Sequence, residues 1–412
     1  MAQLNITLNQ EEILQLISEN SGEGFRKLLE ESLNSLLKAE SQEQLRAAPY
    51  ERTEERTDSR NGFRDRDLNT RIGTITLHVP RHRNQPFETM IFSNYSRSEA
   101  ALIACMAEMV VNGVSTRKIS RVMETLCGVS FSKSTVSEVC KTLDHEVEAF
   151  RNRTLDGRYP FLTVDATYFK VRENHRVVSK ALMVALATNA QGNREIIGLQ
   201  AYSTESEETW KDFLNGLKKR GLSNLLLITS DAHSGLIKAL GKTFPNVPWQ
   251  RCQFHFSRNI ADKAPKKYQP GIRAELQEMF NAKTIADARK KRDEIIADYH
   301  DVAEEAVKCL DEGFESSMTI MQFPAGIRRH YRTSNHIERL NKELKRRSKV
   351  VGVFPNEASL MRLMGSVLIE LNDGSLNTRK LFSPDSYQAM LTPERMACLK
   401  KIALEQQALL AA

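Results

Sequence analysis

The chain has 412 residues, 41% of them apolar and 27% charged, a balance that fits a folded protein and excludes a disordered or membrane-embedded one. At ~100–200 residues per domain the length supplies several domains and ample material for a core. The 59 Lys+Arg exceed the 52 Asp+Glu by seven, and that surplus has an address. Between positions 328 and 349 stand nine cations (Arg328, Arg329, Arg332, Arg339, Lys342, Lys345, Arg346, Arg347, Lys349) and two acids (Glu338, Glu343), and nine minus two is the whole +7. A concentrated basic patch is the footprint of a polyanion partner, although a solvated helix face looks similar.

The longest apolar stretch, Ala181–Ala187, falls far short of the ~20 residues that span a bilayer, so no membrane partner is expected. The opening MAQLNITLNQEE has no basic region leading into an apolar run. The six cysteines show no CxxC pair. These features predict reduced thiols and a cytoplasmic protein.

In chain order, a helix is predicted from Gly24 to Arg46, with Phe25, Leu28, Leu29, Leu33, Leu36 and Leu37 on one stripe. The Glu/Arg-rich Tyr50–Arg66 reads as a linker or exposed arm. RIGTITLHVPR (Arg71–Arg81) alternates like a strand with one apolar face, ended by Pro80. Two short helices follow, capped by Ser115 and by Ser132 or Ser134 and broken at Gly128. The first has Ile119, Val122, Met123 and Leu126 inside; the second has Val136, Val139, Cys140 and Leu143. They suggest a DNA-binding helix-turn-helix, a pattern that any helical hairpin shares. Next comes a βββαβαβ run: strands Phe161–Val171, Val177–Ala187 and Glu195–Ala201, a helix Glu207–Arg220, strand Leu225–Thr229, a helix Gly235–Thr243 and strand Val247–Cys252. Residues 256–325 are helical and highly charged, and helix resumes at Asn335. The fold class is α/β, with a helical insertion just before the last helix of the sheet domain.

Three carboxylates stand out. Asp165 interrupts an apolar strand, where an unpaired charge is costly. Asp231 follows a central strand at its carboxyl end, where open α/β sheets bind ligands. Glu338 lies inside the basic window. Each has a plain alternative: a salt-bridged strand residue, a cap of the Gly235 helix, and an Asn-x-x-Glu capping box on Asn335. Together they suit Mg²⁺ or Mn²⁺, two ions ~3.5–4 Å apart being the device for displacement at a phosphodiester. Cys252 and His255 form a Cys-x-x-His pair, half of a zinc site, with no second pair at suitable spacing, so no zinc is expected. Trp210 reads as core packing for its helix or as an aromatic that holds a distorted base.

The segments VDATYFKVR at Asp165, ITSDAHSGL at Asp231, WQRCQFHFSRN at Cys252 and RTSNHIERLNKELKRRSKVVGVFPN at Glu338 resemble the Mutator-type bacterial insertion-sequence transposases. RNGFRDRDLNTRIGTITLHVPR also resembles their N-terminal segment. Ser334 stands where the family more commonly has Thr. The resemblance implies a DDE triad of Asp165, Asp231 and Glu338 on an RNase H-like fold holding two Mg²⁺ or Mn²⁺ ions. It also makes the helices after Cys252 the family's insertion domain, and marks Cys252 and His255 as a recurring feature near the active site. It implies double-stranded DNA partners, terminal inverted repeats and target, and a homodimer or higher assembly. The expected organisation is an N-terminal helical and β segment (1–95), a helix-turn-helix region (96–150), a catalytic domain in two parts (151–255 and 326–380), an all-helical insertion (256–325) and a helical tail (381–412). Two rivals use the same residues differently: an RNase H-like nuclease or resolvase without strand transfer, and a DNA-binding regulator with a vestigial triad.

Overall fold

A computed structural model describes residues 21–51, 53–89, 100–127, 131–376 and 380–411. The chain divides into two compact units, Met1–Thr142 and Leu143–Ala412.

In the first unit, helix α1 (Ser21–Leu45) lies on an antiparallel ribbon of β1 (Arg60–Thr70) and β2 (Gly73–His82). Leu37, Leu68, Ile75, Leu77 and Val79 make the core between them. Asn34 ties helix to ribbon from within, donating to the Thr76 carbonyl at 3.1 Å and accepting from the His78 amide at 2.6 Å. Two expectations are corrected here. The supposed arm becomes strand from Arg60 onward. Its residues are mostly exposed, with only Leu68 and Thr70 buried, so no apolar alternation announces it. Pro80 does not end β2, because it sits opposite Phe63, next to a register irregularity that spares its missing N–H.

Helices α2 (Ala100–Val111), α3 (Thr116–Cys127) and α4 (Lys133–Cys140) share a core of Leu102, Met106, Ile119, Met123, Phe131, Val136 and Cys140. Ser115 Oγ accepts from the Lys118 amide at 3.4 Å, and Ser132, rather than Ser134, caps α4 by accepting from Thr135 N at 3.0 Å. Val122, expected inside, is 36% exposed on the outer side of α3. Gly128 lies outside the described residues, as does the side chain of Leu126.

The second unit opens with α5 (Leu143–Asn152), which includes Leu143, expected on the preceding helix. Strands β3 (Phe161–Glu173), β4 (Arg176–Thr188) and β5 (Arg194–Tyr202) form an antiparallel meander. Asn174 and His175, both at positive φ, turn β3 into β4 as a two-residue hairpin loop. Then follow α6 (Glu207–Lys219), β6 (Leu227–Ser230), α7 (Ser234–Thr243) and β7 (Trp249–Arg251), the βββαβαβ order expected. The result is one mixed five-stranded sheet of order β5-β4-β3-β6-β7, with β3, β6 and β7 parallel. On one face Val164, Trp210, Leu214, Ile228 and Leu236 pack the sheet against α6 and α7. On the other, Phe161 stacks on Tyr331 with centroids 3.9 Å apart and meets Phe323 and Phe382 edge-on.

After β7 the chain enters α8 (Gln253–Asp262), α9 (Gln269–Phe280), α10 (Ile285–Tyr299) and α11 (Glu304–Ser317), which build their own core around Phe256, Leu276, Ala288, Ile295, Leu310 and Phe314. The departing and returning chains meet at a neck: Gln253 N donates to the Arg332 carbonyl at 3.0 Å, and Ser334 N to Cys252 Sγ at 3.3 Å. Helices α12 (Ala325–Tyr331), α13 (Asn335–Ser348) and α14 (Glu357–Leu376) then return to the sheet. Val147 of α5 packs against Gly365 of α14, and Asp144 pairs with Arg362 at 2.7 Å, so the second unit begins before the expected boundary at residue 151. Helices α15 (Pro384–Gln388) and α16 (Pro393–Ala411) complete the unit. Gln406 of α16 covers edge strand β7 by bonding both the amide and the carbonyl of Trp249 at 2.8 Å.

Candidate active site

Alternation along β3 buries Thr163 and Thr167 beside a half-buried Asp165, all three on the face opposite α6 and α7. Parallel pairing sets Phe161, Leu162 and Thr163 against Leu227, Ile228 and Thr229, an offset of 66 residues throughout. Carried two residues on, that register brings Asp231 level with Asp165. Helix α13 supplies Glu338 and, one turn later, Asn341, whose Nδ2 donates to Asp165 Oδ2 at 2.7 Å.

Asp165 makes no ion pair among the described residues. Its Oδ1 accepts from the Ala166 amide at 2.9 Å. Burial, followed by the Asp231 charge, pushes its carboxyl up to about 7, with Glu338 adding to the rise and His255 opposing it. Asp231 does not cap α7; that place belongs to His233, whose Nδ1 accepts from Leu236 N at 3.4 Å. The capping-box reading of Glu338 also fails. Ser334, not Asn335, stands at the cap of α13, so Glu338 is the fourth residue of the helix. Its Oε1 accepts from the Ser334 hydroxyl at 2.7 Å. That hydroxyl has one hydrogen and a second neighbour, Cys252 Sγ at 3.1 Å, and the shorter contact favours the carboxylate.

His255 Nε2 stands 3.9 Å from Glu338 Oε1. Interaction with the Cys252 sulfur, reinforced by the nearby carboxylates, raises His255 to about 9. Burial pushes the Cys252 thiol up, but His255 and Ser334 outweigh it and hold the thiol below its ordinary value. Ligand atoms of Cys252, His255 and Glu338 lie within 4.8 Å of one another, so the Cys-x-x-His pair has a third potential partner from 83 residues down the chain. Trp210 is fully buried in the sheet core and donates through Nε1 to Glu205 Oε1 at 3.2 Å.

The nine cations separate into two groups. Arg328 donates to the Phe323, Lys283 and Met321 carbonyls, and Arg332 to Asn281 Oδ1 at 2.7 Å. Arg347, only 6% exposed, pairs with Glu343 at 2.8 Å and Glu370 at 3.0 Å. All three bond within the protein; Arg347 is buried, while Arg328 and Arg332 are half-buried. Arg329, Arg339, Lys342, Lys345, Arg346 and Lys349 are exposed. Asn341 is not among the residues singled out in the sequence, and Arg347, expected among the DNA-binding cations, is buried. Ile337, Asn341, Leu344 and Arg347 form the buried stripe of α13, at spacings of four, three and three. That period was the available signal.

Residues 1–377 match the family described as Transposase, Mutator family. The chain belongs to that transposase family. It is 43% identical over 379 residues to the transposase for insertion sequence element IS256 in transposon Tn4001 of Staphylococcus aureus, covering 90% of this chain and 96% of the relative. It is 36% identical over 386 residues to the transposase for ISRM5 of Rhizobium meliloti, covering 94% and 95%. With the transposase for IS1081 of Mycobacterium tuberculosis it shares 38% over 366 residues, 88% of each chain. The Mutator-family resemblance of the motifs thus extends across nearly the whole transposase. No helix among its described residues is long and apolar enough to cross a membrane.

Proposed function

We propose that this transposase cuts and joins DNA with a DDE triad of Asp165, Asp231 and Glu338 on an RNase H-like sheet. One observation carries the reading. Asp231, just past β6, and Glu338 on α13 lie near enough for their charges to act on Asp165, which burial and those charges raise to about 7. A cluster of oxygen donors whose charge His255 offsets only in part suits Mg²⁺ or Mn²⁺, and the buried Oδ1 of Asn341, without a hydrogen-bond partner among the described residues, fits the same chemistry. Asp165, Asp231 and Glu338 would hold two such ions, which when bound would activate the attacking oxygen and stabilise the leaving one.

The protein's own groups do the rest. Ser334 orients Glu338, and the His255 imidazolium offsets part of the carboxylate charge. The exposed cations of α13 hold the phosphate backbone beside the triad. Water attacks the phosphodiester at the element's end, freeing a 3′-hydroxyl and leaving a 5′-phosphate. That hydroxyl then attacks a second phosphodiester in line, and the displaced strand departs as a new 3′-hydroxyl. We assign the sheet segments 151–255 and 326–380 to one catalytic domain, 256–325 to an inserted domain, the helix-turn-helix region 96–150 to recognition of the inverted-repeat ends, and assembly to a dimer or higher.

The test is cleavage of end duplex in Mg²⁺ by Asp165→Asn, Asp231→Asn and Glu338→Gln, with duplex affinity measured in parallel. Each variant should lose cleavage by ~10³-fold or more while affinity stays within a few-fold. Wild-type cleavage by any of the three overturns the triad.

A further inference from the structure

Asn341 is not one of the three carboxylates, yet its side chain bonds directly to Asp165. It lies on α13 one turn beyond Glu338, on the same face, and is 8% exposed. Its two amide atoms have unlike surroundings. Nδ2 donates to Asp165 Oδ2 at 2.7 Å, whereas Oδ1 is buried without a hydrogen-bond partner among the described residues. Reversing the amide would set a carbonyl oxygen against an ionised carboxylate, two acceptors face to face, so an ionised Asp165 itself selects this orientation.

Asp165 is held at both ends of its carboxylate. Ala166 N takes Oδ1 at 2.9 Å and Asn341 takes Oδ2, which leaves each oxygen a second lone pair. Without Asn341 only the neighbouring backbone amide would restrain the carboxylate plane. A buried polar atom with no partner is costly, and leucine would fill a similar volume without that cost. Retaining an amide here makes sense if its free oxygen meets something the protein does not supply. A neutral amide oxygen is an ordinary partner for a hydrated divalent cation, as ligand or as acceptor from its water.

We infer that Asn341 is a positioning residue for the divalent metal: it fixes the Asp165 carboxylate in its metal-binding orientation through Nδ2 and offers Oδ1 to the hydrated ion. The inference rests on the triad reading above. Partners that orient metal ligands typically change metal affinity or activity ~10–100-fold when removed. Loss of Asn341 should therefore raise the Mg²⁺ concentration needed for cleavage, while the rate at saturating Mg²⁺ recovers to within a few-fold.

The experiment compares wild type, Asn341→Leu, Asn341→Ser and Asp165→Asn in the full chain. Mn²⁺ binding is measured by electron paramagnetic resonance without DNA, and the Mg²⁺ midpoint of end cleavage with DNA. The serine variant keeps the test open should leucine disturb packing. Both Asn341 variants should weaken Mn²⁺ binding and raise the Mg²⁺ midpoint ~10-fold or more, with end-duplex affinity unchanged. If both keep the wild-type midpoint within two-fold, or lose cleavage at every Mg²⁺ concentration with Mn²⁺ binding unaltered, Asn341 is not a positioning residue. If Asp165→Asn also leaves Mn²⁺ binding intact, the triad itself is wrong.

Discussion

Replacing Asp165 by Asn should make the metal-free protein more stable, by an amount that depends on pH. In the folded chain burial and the Asp231 charge raise Asp165 from 3.8 to about 7. The native state therefore binds this proton more tightly than the unfolded state. Stability falls as pH climbs through the interval between those values and levels off above it. A shift of that size corresponds to ~4 kcal/mol, and screening by water at the open side of the cluster brings the expected effect to ~2–4 kcal/mol. Asparagine keeps the shape and cannot ionise, so the variant lacks that slope. Its advantage should be under ~1 kcal/mol at pH 4 and should reach the full ~2–4 kcal/mol at pH 8. Both tryptophans, Trp210 and Trp249, lie in the second unit, so their fluorescence during urea unfolding in EDTA reports the relevant transition. No gain at pH 8, or an equal gain at both pH values, would refute strain among the carboxylates. Added Mg²⁺ should stabilise wild type more than the variant and narrow the gap.

Four further outcomes follow from the structure. Because a proton competes for Asp165 up to about 7, cleavage at subsaturating Mg²⁺ should rise close to ten-fold per pH unit below that value, and a flat profile from pH 5.5 to 8 would contradict this. His255, raised to about 9, contributes stability that is fully present below its unfolded value of 6.5 and is lost as pH passes about 9; His255→Gln should remove that alkaline loss in urea titrations. Neutralising Lys342, Lys345 or Arg346 should each lower the salt dependence of duplex binding by up to ~0.9, whereas Arg347→Met should leave the slope alone and cost ~1–3 kcal/mol of stability. In the inserted helices, Gly313→Ala would put a Cβ 2.6 Å from Phe256 Cζ and 2.5 Å from Arg251 Nη1, an overpacking worth ~1–3 kcal/mol by the same fluorescence.

The sheet was legible because its strands carry strong signals: the apolar run of β4, the central LLLI before Asp231 and the turn residues between strands. The carboxylates stood out as charges where charge is expensive. Strand β1 was hidden, since RNGFRDRDLNT has almost no buried face to leave an apolar alternation. Charge counting treated the basic window as one patch, although Arg347 sits on the inner stripe of α13 and Arg346 beside it is exposed. The approach of His255 to Glu338 could not be read locally, because two residues separated by the whole helical insertion meet only through the neck. Asn341 carries no motif at all, and only the periodicity of its helix would have turned attention to it.

The neck between Cys252 and Ser334 also orders events in time. Asp165 lies on β3 and Asp231 directly after β6, while Glu338 comes 107 residues after Asp231, since 338 minus 231 is 107. At ~5–20 residues per second a ribosome needs several seconds or more to cover that interval, and the inserted helices are made within it. Until they have been made, the growing chain carries Asp165 and Asp231 and lacks Glu338.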